Sequence, residues 1–122
     1  MVRRWNAIVT PQDHVYHLGD VCMNTAKHLA LVKYLLGHKR LIWGNHDKGK
    51  PSEYQAAGFQ KIMGYRWIND FILSHVPLHP SSLGNRINVH GHIHERASFG
   101  EQYRNVSVER INYTPVLLES LR

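Results

Sequence analysis

Arg40-Leu41-Ile42-Trp43-Gly44-Asn45-His46-Asp47 is the stretch on which the fold turns. Its first half is a short apolar run of the kind that forms a buried strand, and Gly44 marks the turn out of it. A strand end that opens into a loop carrying Asn, His and Asp is a usual place for a site in an α/β protein. Other strand ends in the chain carry matching groups: Leu18-Gly19-Asp20 before it, then Ser74-His75, then Gly91-His92-Ile93-His94. Carboxylate, amide oxygen and imidazole together suit a hard or borderline divalent cation, without the thiolate cage of a structural zinc.

Taken outward, the pattern predicts strands alternating with helices. Val15-Tyr16-His17-Leu18 reads as a short strand whose Gly19 lets Asp20 project from its end, either as a ligand or as a cap for the next helix. Leu29, Val32, Leu35 and Leu36 recur at helical spacing between Thr25 and Leu36, and Gly37 closes that helix. Ser52 to Ala57 reads as a short helix capped by Ser52, and Phe59 to Trp67 as strand with a turn at Gly64. Tyr65-Arg66-Trp67 could stack on a base, but aromatic residues in a strand more often pack against a second layer. Phe71-Ile72-Leu73-Ser74 is expected as a buried strand that delivers His75, and Arg86 to His90 as one that delivers His92 and His94. In an extended chain those two imidazoles would project to the same side. Tyr103 to Glu109 alternates as a half-buried strand, and Pro115 sits at a plausible first turn of a terminal helix.

Composition sets bounds on the class. With 122 residues, 43% hydrophobic and 20% charged, residues 1–122 form a single globular domain without a disordered tract. Cys22 is the one cysteine, so no internal disulfide staples the fold. No apolar run approaches the length of a membrane span and Met1-Val2-Arg3-Arg4-Trp5 lacks a signal-peptide core, so a cytoplasmic protein is expected. Fifteen basic against nine acidic residues give +6, which suits a phosphate-bearing ligand. Ten histidines, about half of them in or beside the motifs, turn the balance toward metal.

Gly19-Asp20, Gly44-Asn45-His46-Asp47, His75 and Gly91-His92-Ile93-His94, in that order, resemble the calcineurin-like metallophosphoesterase family, particularly its short bacterial and phage members. The resemblance implies an α/β fold with two mixed β-sheets flanked by helices, an αββα sandwich. It implies Asp20, Asn45, His75, His92 and His94 as metal ligands, Asp20 bridging two cations, with Mn, Fe, Zn or Ni as the ion. It implies phosphomonoester or phosphodiester hydrolysis by a metal-activated hydroxide, with His46 as proton donor and Asp47 orienting it. Family members open on a strand ending in Asp-x-His, and none of Asp13, Asp20, Asp47 and Asp70 is followed two residues on by histidine. The first strand is therefore expected to be missing, one cation to be half-liganded, and the exposed edge to invite homo-oligomers. Two rival readings go with that departure: a non-catalytic metal-binding relative acting as a binding protein, and a basic nucleic-acid-binding module.

Overall fold

The computed structural model describes residues 2–19, 25–45, 47, 49–93, 100–107, 110–111 and 114–122. The chain runs α1 (Val2–Ile8), β1 (His14–His17), α2 (Thr25–Val32), β2 (His38–Ile42), α3 (Pro51–Ala57), β3 (Lys61–Met63), β4 (Tyr65–Ile68), β5 (Phe71–Ser74), β6 (Ile87–His90) and β7 (Tyr103–Asn105). Short 3-10 turns cover Pro80–Ser82 and Leu118–Leu121. The strands form two sheets, β1-β2-β3 and β4-β5-β6-β7, flanked by helices. The expectation of an α/β protein with two sheets holds. The first sheet, however, is wholly parallel and only the second is mixed, with β4 antiparallel to β5. Each step from β1 to β2 to β3 is carried by a helix, and a crossover of that kind requires parallel pairing.

Alternation along β2 splits its side chains between two cores. Leu41 packs outward with Leu29, Val32, Tyr54 and Phe59 from the α2 and α3 side. Ile42 packs inward against Phe71, Leu73 and Val89 of the second sheet, with Tyr16 and Met63 beside it. Burial of each such side chain is worth about 1.5–3 kcal/mol, so this inter-sheet cluster is what clamps the sandwich. β5 is buried on both faces, because Ile72 meets Leu83 and Tyr103 on the outer side. Trp5 joins Val9 and Leu35 in a separate cluster, its indole N–H donating to Leu36 O at 2.9 Å.

Several local expectations are corrected. α2 ends at Val32, and Leu35 is buried while Leu36 is partly exposed. Tight i to i+3 bonds close the end, Tyr34 N donating to Leu31 O and Leu35 N to Val32 O at 3.0 Å each, and beyond them the buried Lys39 ammonium, its pKa lowered by burial, donates to Leu35 O at 2.5 Å. α3 is capped at Lys50, with Glu53 accepting from Lys50 N at 3.2 Å, so Ser52 lies inside the helix. The break expected at Gly64 is there, between β3 and β4, and it is where the chain leaves the first sheet for the second. Tyr65 and Trp67 are not packed under a second layer but are 58% and 56% exposed. β7 stops at Asn105, and the terminal helix is the 3-10 turn Leu118–Leu121, with Pro115 ahead of it. Among the described residues no helix is long and apolar enough to cross a membrane.

Candidate functional site

Parallel pairing brings the ends of β1 and β2 to one edge of the first sheet, and the parallel pair β5 and β6 does the same in the second. The segments leaving these ends meet. Gly19 is at the meeting point with φ +98°, and a Cβ there would fall 2.6 Å from His75 Nδ1 and 2.7 Å from Gly44 Cα. Only glycine fits, on both conformational and steric grounds. The preceding carbonyl, Leu18 O, accepts from His75 Nδ1 at 2.7 Å, so one backbone group of the first sheet orients the imidazole of the second.

The loop after β2 is closed locally. Gly44 N donates to Asp47 Oδ2 at 2.8 Å, and Asp47 N donates to Gly44 O at 3.2 Å. This turn buries Asp47 and lifts Asn45 into solvent. One partner of the Asp47 carboxylate is thus a loop amide, a scaffold role that sequence reasoning did not assign. His75 is held from the other side as well: Ser74 Oγ donates to Val76 O at 2.6 Å and Gly91 N donates to His75 O at 2.9 Å. Behind it Asn88, fully buried, donates to Ile72 O at 3.0 Å and Ser74 Oγ at 2.9 Å and accepts from Leu78 N at 2.8 Å. The signal for Asn88 was present as an amide inside the apolar run Ile87-Asn88-Val89.

His92 does not continue β6. Its φ is +69°, and Ile93 N donates to Gly91 O at 2.8 Å, so the chain turns tightly and the extended geometry expected for Gly91 to His94 is absent at His92. The turn swings the His92 ring over the site, 5.0 Å from that of His75 at 67°. His90 stays out, as expected: its Nδ1 donates to Gly91 O at 3.0 Å, while its buried Nε2 has no hydrogen-bond partner among the described residues. Burial lowers the His90 pKa, opposed in part by the Gly91 hydrogen bond.

The structure therefore brings together Asn45, His75 and His92. His92 Nδ1 is 3.1 Å from Asn45 Oδ1 and 3.2 Å from His75 Nε2, and His75 Nε2 is 2.7 Å from Asn45 Oδ1. Since Nδ1 of a neutral His75 carries the proton donated to Leu18, Nε2 presents a lone pair to the lone pairs of the amide oxygen. Such a triangle is satisfied by a proton or by a cation. Donor atoms around a divalent ion with bonds of about 2.1 Å stand roughly 3.0–3.4 Å apart, close to these edges. Among the described residues no group of three or more His, Cys, Asp or Glu side chains is gathered for a metal. Asp20, His46 and His94 lie outside the described residues. A cleft of about 360 Å³ opens beside the triangle, lined by Trp43, Gly44, Asn45, Gly64, Ser74, His75, Val76 and Leu78.

The uncharacterized protein MJ1445 of Methanocaldococcus jannaschii is 34% identical to this chain over 132 residues, which take in 98% of this chain and 69% of that protein. The chain belongs to the family of that archaeal protein. Gene 66 protein of Mycobacterium phage L5 is 32% identical over 72 residues, covering 56% of this chain and 33% of the phage protein. Among solved structures, the protein of unknown function AQ665 from Aquifex aeolicus superposes with a TM-score of 0.73 at 27% identity, over 94% of this chain and 77% of that one. No family model matches the chain. Membership in the MJ1445 family thus brings no activity with it, and the likeness to AQ665 is one of fold.

Proposed function

We propose that the chain is a metal-dependent phosphoesterase of the calcineurin-like type, acting on phosphomonoesters or phosphodiesters. The observation that carries this reading is the triangle of His75 Nε2, His92 Nδ1 and Asn45 Oδ1, with His75 Nδ1 committed to Leu18 O. Asp20 and His94, neighbours in sequence of Gly19 and Ile93, complete the ligand set in this reading. When bound, a divalent cation supplies Lewis-acid stabilisation of the phosphoryl oxygens and an activated nucleophile at neutral pH. The chain's own groups do the rest. The Leu18 carbonyl keeps the His75 proton on Nδ1 and its Nε2 lone pair toward the site. The Asn45 amide N–H groups donate to a phosphoryl oxygen, and His46 next to it gives its proton to the leaving oxygen. Asp47 preserves the turn that carries Asn45, and orienting the His46 imidazole is its further role in this reading.

One sequence observation favours a second reading, a metal-binding relative without useful catalysis: no aspartate is followed two residues later by histidine. The two readings separate in one experiment. Manganese, zinc and nickel loading followed by elemental analysis should find metal retained by the native chain and lost from His75→Ala and His92→Ala. Hydrolysis of a chromogenic phosphodiester and phosphomonoester, abolished by chelator, supports the enzyme. Metal without turnover supports the binding protein, and no retained metal with no turnover refutes both.

A further inference from the structure

We propose that the outer face of β4 is a stacking platform for the bases of a single-stranded nucleic acid whose phosphodiester reaches the Asn45, His75 and His92 site. The phosphodiester half of this statement rests on the phosphoesterase reading; the stacking half rests on separate observations. Tyr65 and Trp67, two apart on a strand, project to the same side. They are 58% and 56% exposed, with ring centroids 6.1 Å apart and planes at 53°. Their partners across the ladder, Ser74 and Ile72, are buried, so the two rings stand at the open rim of a face whose interior Leu83 and Tyr103 fill.

Charge then narrows the occupant. The Arg86 guanidinium lies over the Trp67 ring at 4.7 Å. Among the described residues no carboxylate pairs with Arg86, so its N–H groups are available to an anion. An aromatic pair backed by an arginine that no carboxylate neutralises, on a chain of net charge +6, matches a ligand with planar rings and phosphates. A purely apolar partner would bury Arg86 without satisfying it.

Position ties the platform to the site. Gly64, immediately before Tyr65, lines the cleft, and Tyr65 pairs with Ser74, the residue before His75. At about 3.3 Å per strand residue, Trp67 stands roughly 10 Å from Gly64 along β4, within reach of adjacent nucleotides of one strand. One base on Tyr65, the next on Trp67 and a phosphate against Arg86 would leave the preceding phosphodiester over the triangle.

Calorimetric titration of the full chain with tetrathymidylate in excess chelator reads the platform without metal or turnover. Saturable binding is expected, weakened about three- to sevenfold between 50 and 200 mM salt if one or two phosphates are engaged. An abasic oligomer of the same length should bind at least about fivefold more weakly, and Trp67→Ala should lose about fivefold to a hundredfold, with Trp67→Phe recovering part. Trp67 is exposed, so its replacement tests binding without threatening the core. Equal affinity for abasic and base-bearing oligomers, unchanged affinity in Trp67→Ala, or no binding at all would overturn the proposal. So would self-association of the chain through this face that Trp67→Ala abolishes while no oligonucleotide binds. Failure of metal retention with base-dependent binding intact would sink the phosphoesterase reading and leave the platform standing.

Discussion

Gly19→Ala tests the joint between the two sheets. The added Cβ would fall 2.6 Å from His75 Nδ1, 2.7 Å from Gly44 Cα and 2.8 Å from Gly44 N, at a φ of +98°. Two costs add. An L-residue in left-handed backbone loses about 1–2 kcal/mol, and overpacking against backbone atoms that cannot turn aside costs about 1–3 kcal/mol more. The expected loss is about 2–5 kcal/mol, a large share of the roughly 5–15 kcal/mol that holds a domain of this size. Two other glycines separate the terms. Gly84 has φ +57° with nothing within 4 Å of its would-be Cβ, so Gly84→Ala should show the backbone cost alone, about 1 kcal/mol. Gly64 also faces open space, without a left-handed φ, and Gly64→Ala should be neutral or slightly stabilising. Urea unfolding reads all three; with a slope near 1–3 kcal/mol per molar, Gly19→Ala should lower the midpoint by about 1 M or more. A Gly19→Ala midpoint equal to that of Gly84→Ala would show that the close approach of Gly19, Gly44 and His75 does not exist.

Asn88→Ala strips one acceptor and two donors from a fully buried position and strands Leu78 N, so unfolding should show about 3 kcal/mol of lost stability; under about 0.5 kcal/mol would refute the buttress. His90 makes a pH prediction whose sign follows from burial. Its folded pKa lies below the unfolded value, so the unfolded chain takes the proton first, and stability falls as pH drops below about 6.5 until the folded pKa is passed. His90→Asn should flatten that limb by up to about 1.4 kcal/mol per pH unit relative to the native chain, and parallel profiles from pH 7 to 5 would exclude His90 as the cause.

The fold was legible wherever a strand met a glycine or a polar stop. Ile42 and Phe71 to Ser74 announce buried strands because both faces are covered, and the structure puts Ile42, Phe71 and Leu73 at the inter-sheet core and Ile72 in the outer cluster. What the pattern did not carry was pairing partners. A turn at Gly64 between Lys61–Met63 and Tyr65–Ile68 serves a hairpin and a crossing between sheets equally well, and nothing local says that β3 is parallel to β2. The exposure of Tyr65 and Trp67 was illegible for a related reason: alternation tells which residues share a face but not whether anything covers it. At the site, residue types were legible and geometry was not. His92 entered as an extended residue, and its +69° φ depends on how Gly91 and Ile93 are anchored, which are tertiary facts.

The triangle draws Asn45 from the first sheet and His75 and His92 from the second, so no local segment can set its edges. Packed sheets hold a spacing of about 10 Å, fixed here by Ile42 against Phe71, Leu73 and Val89. The Leu18–His75 hydrogen bond then converts that spacing into an imidazole direction. Metal chemistry tolerates displacements of only about 0.2 Å in a ligand bond. In the metal-binding reading proposed above, a core side chain with no contact to the cleft would therefore tune the site by altering how closely two strand ends approach. Gly19 is where that dependence is most acute, because the glycine has no side chain to yield and the atoms it would meet belong to both halves of the site.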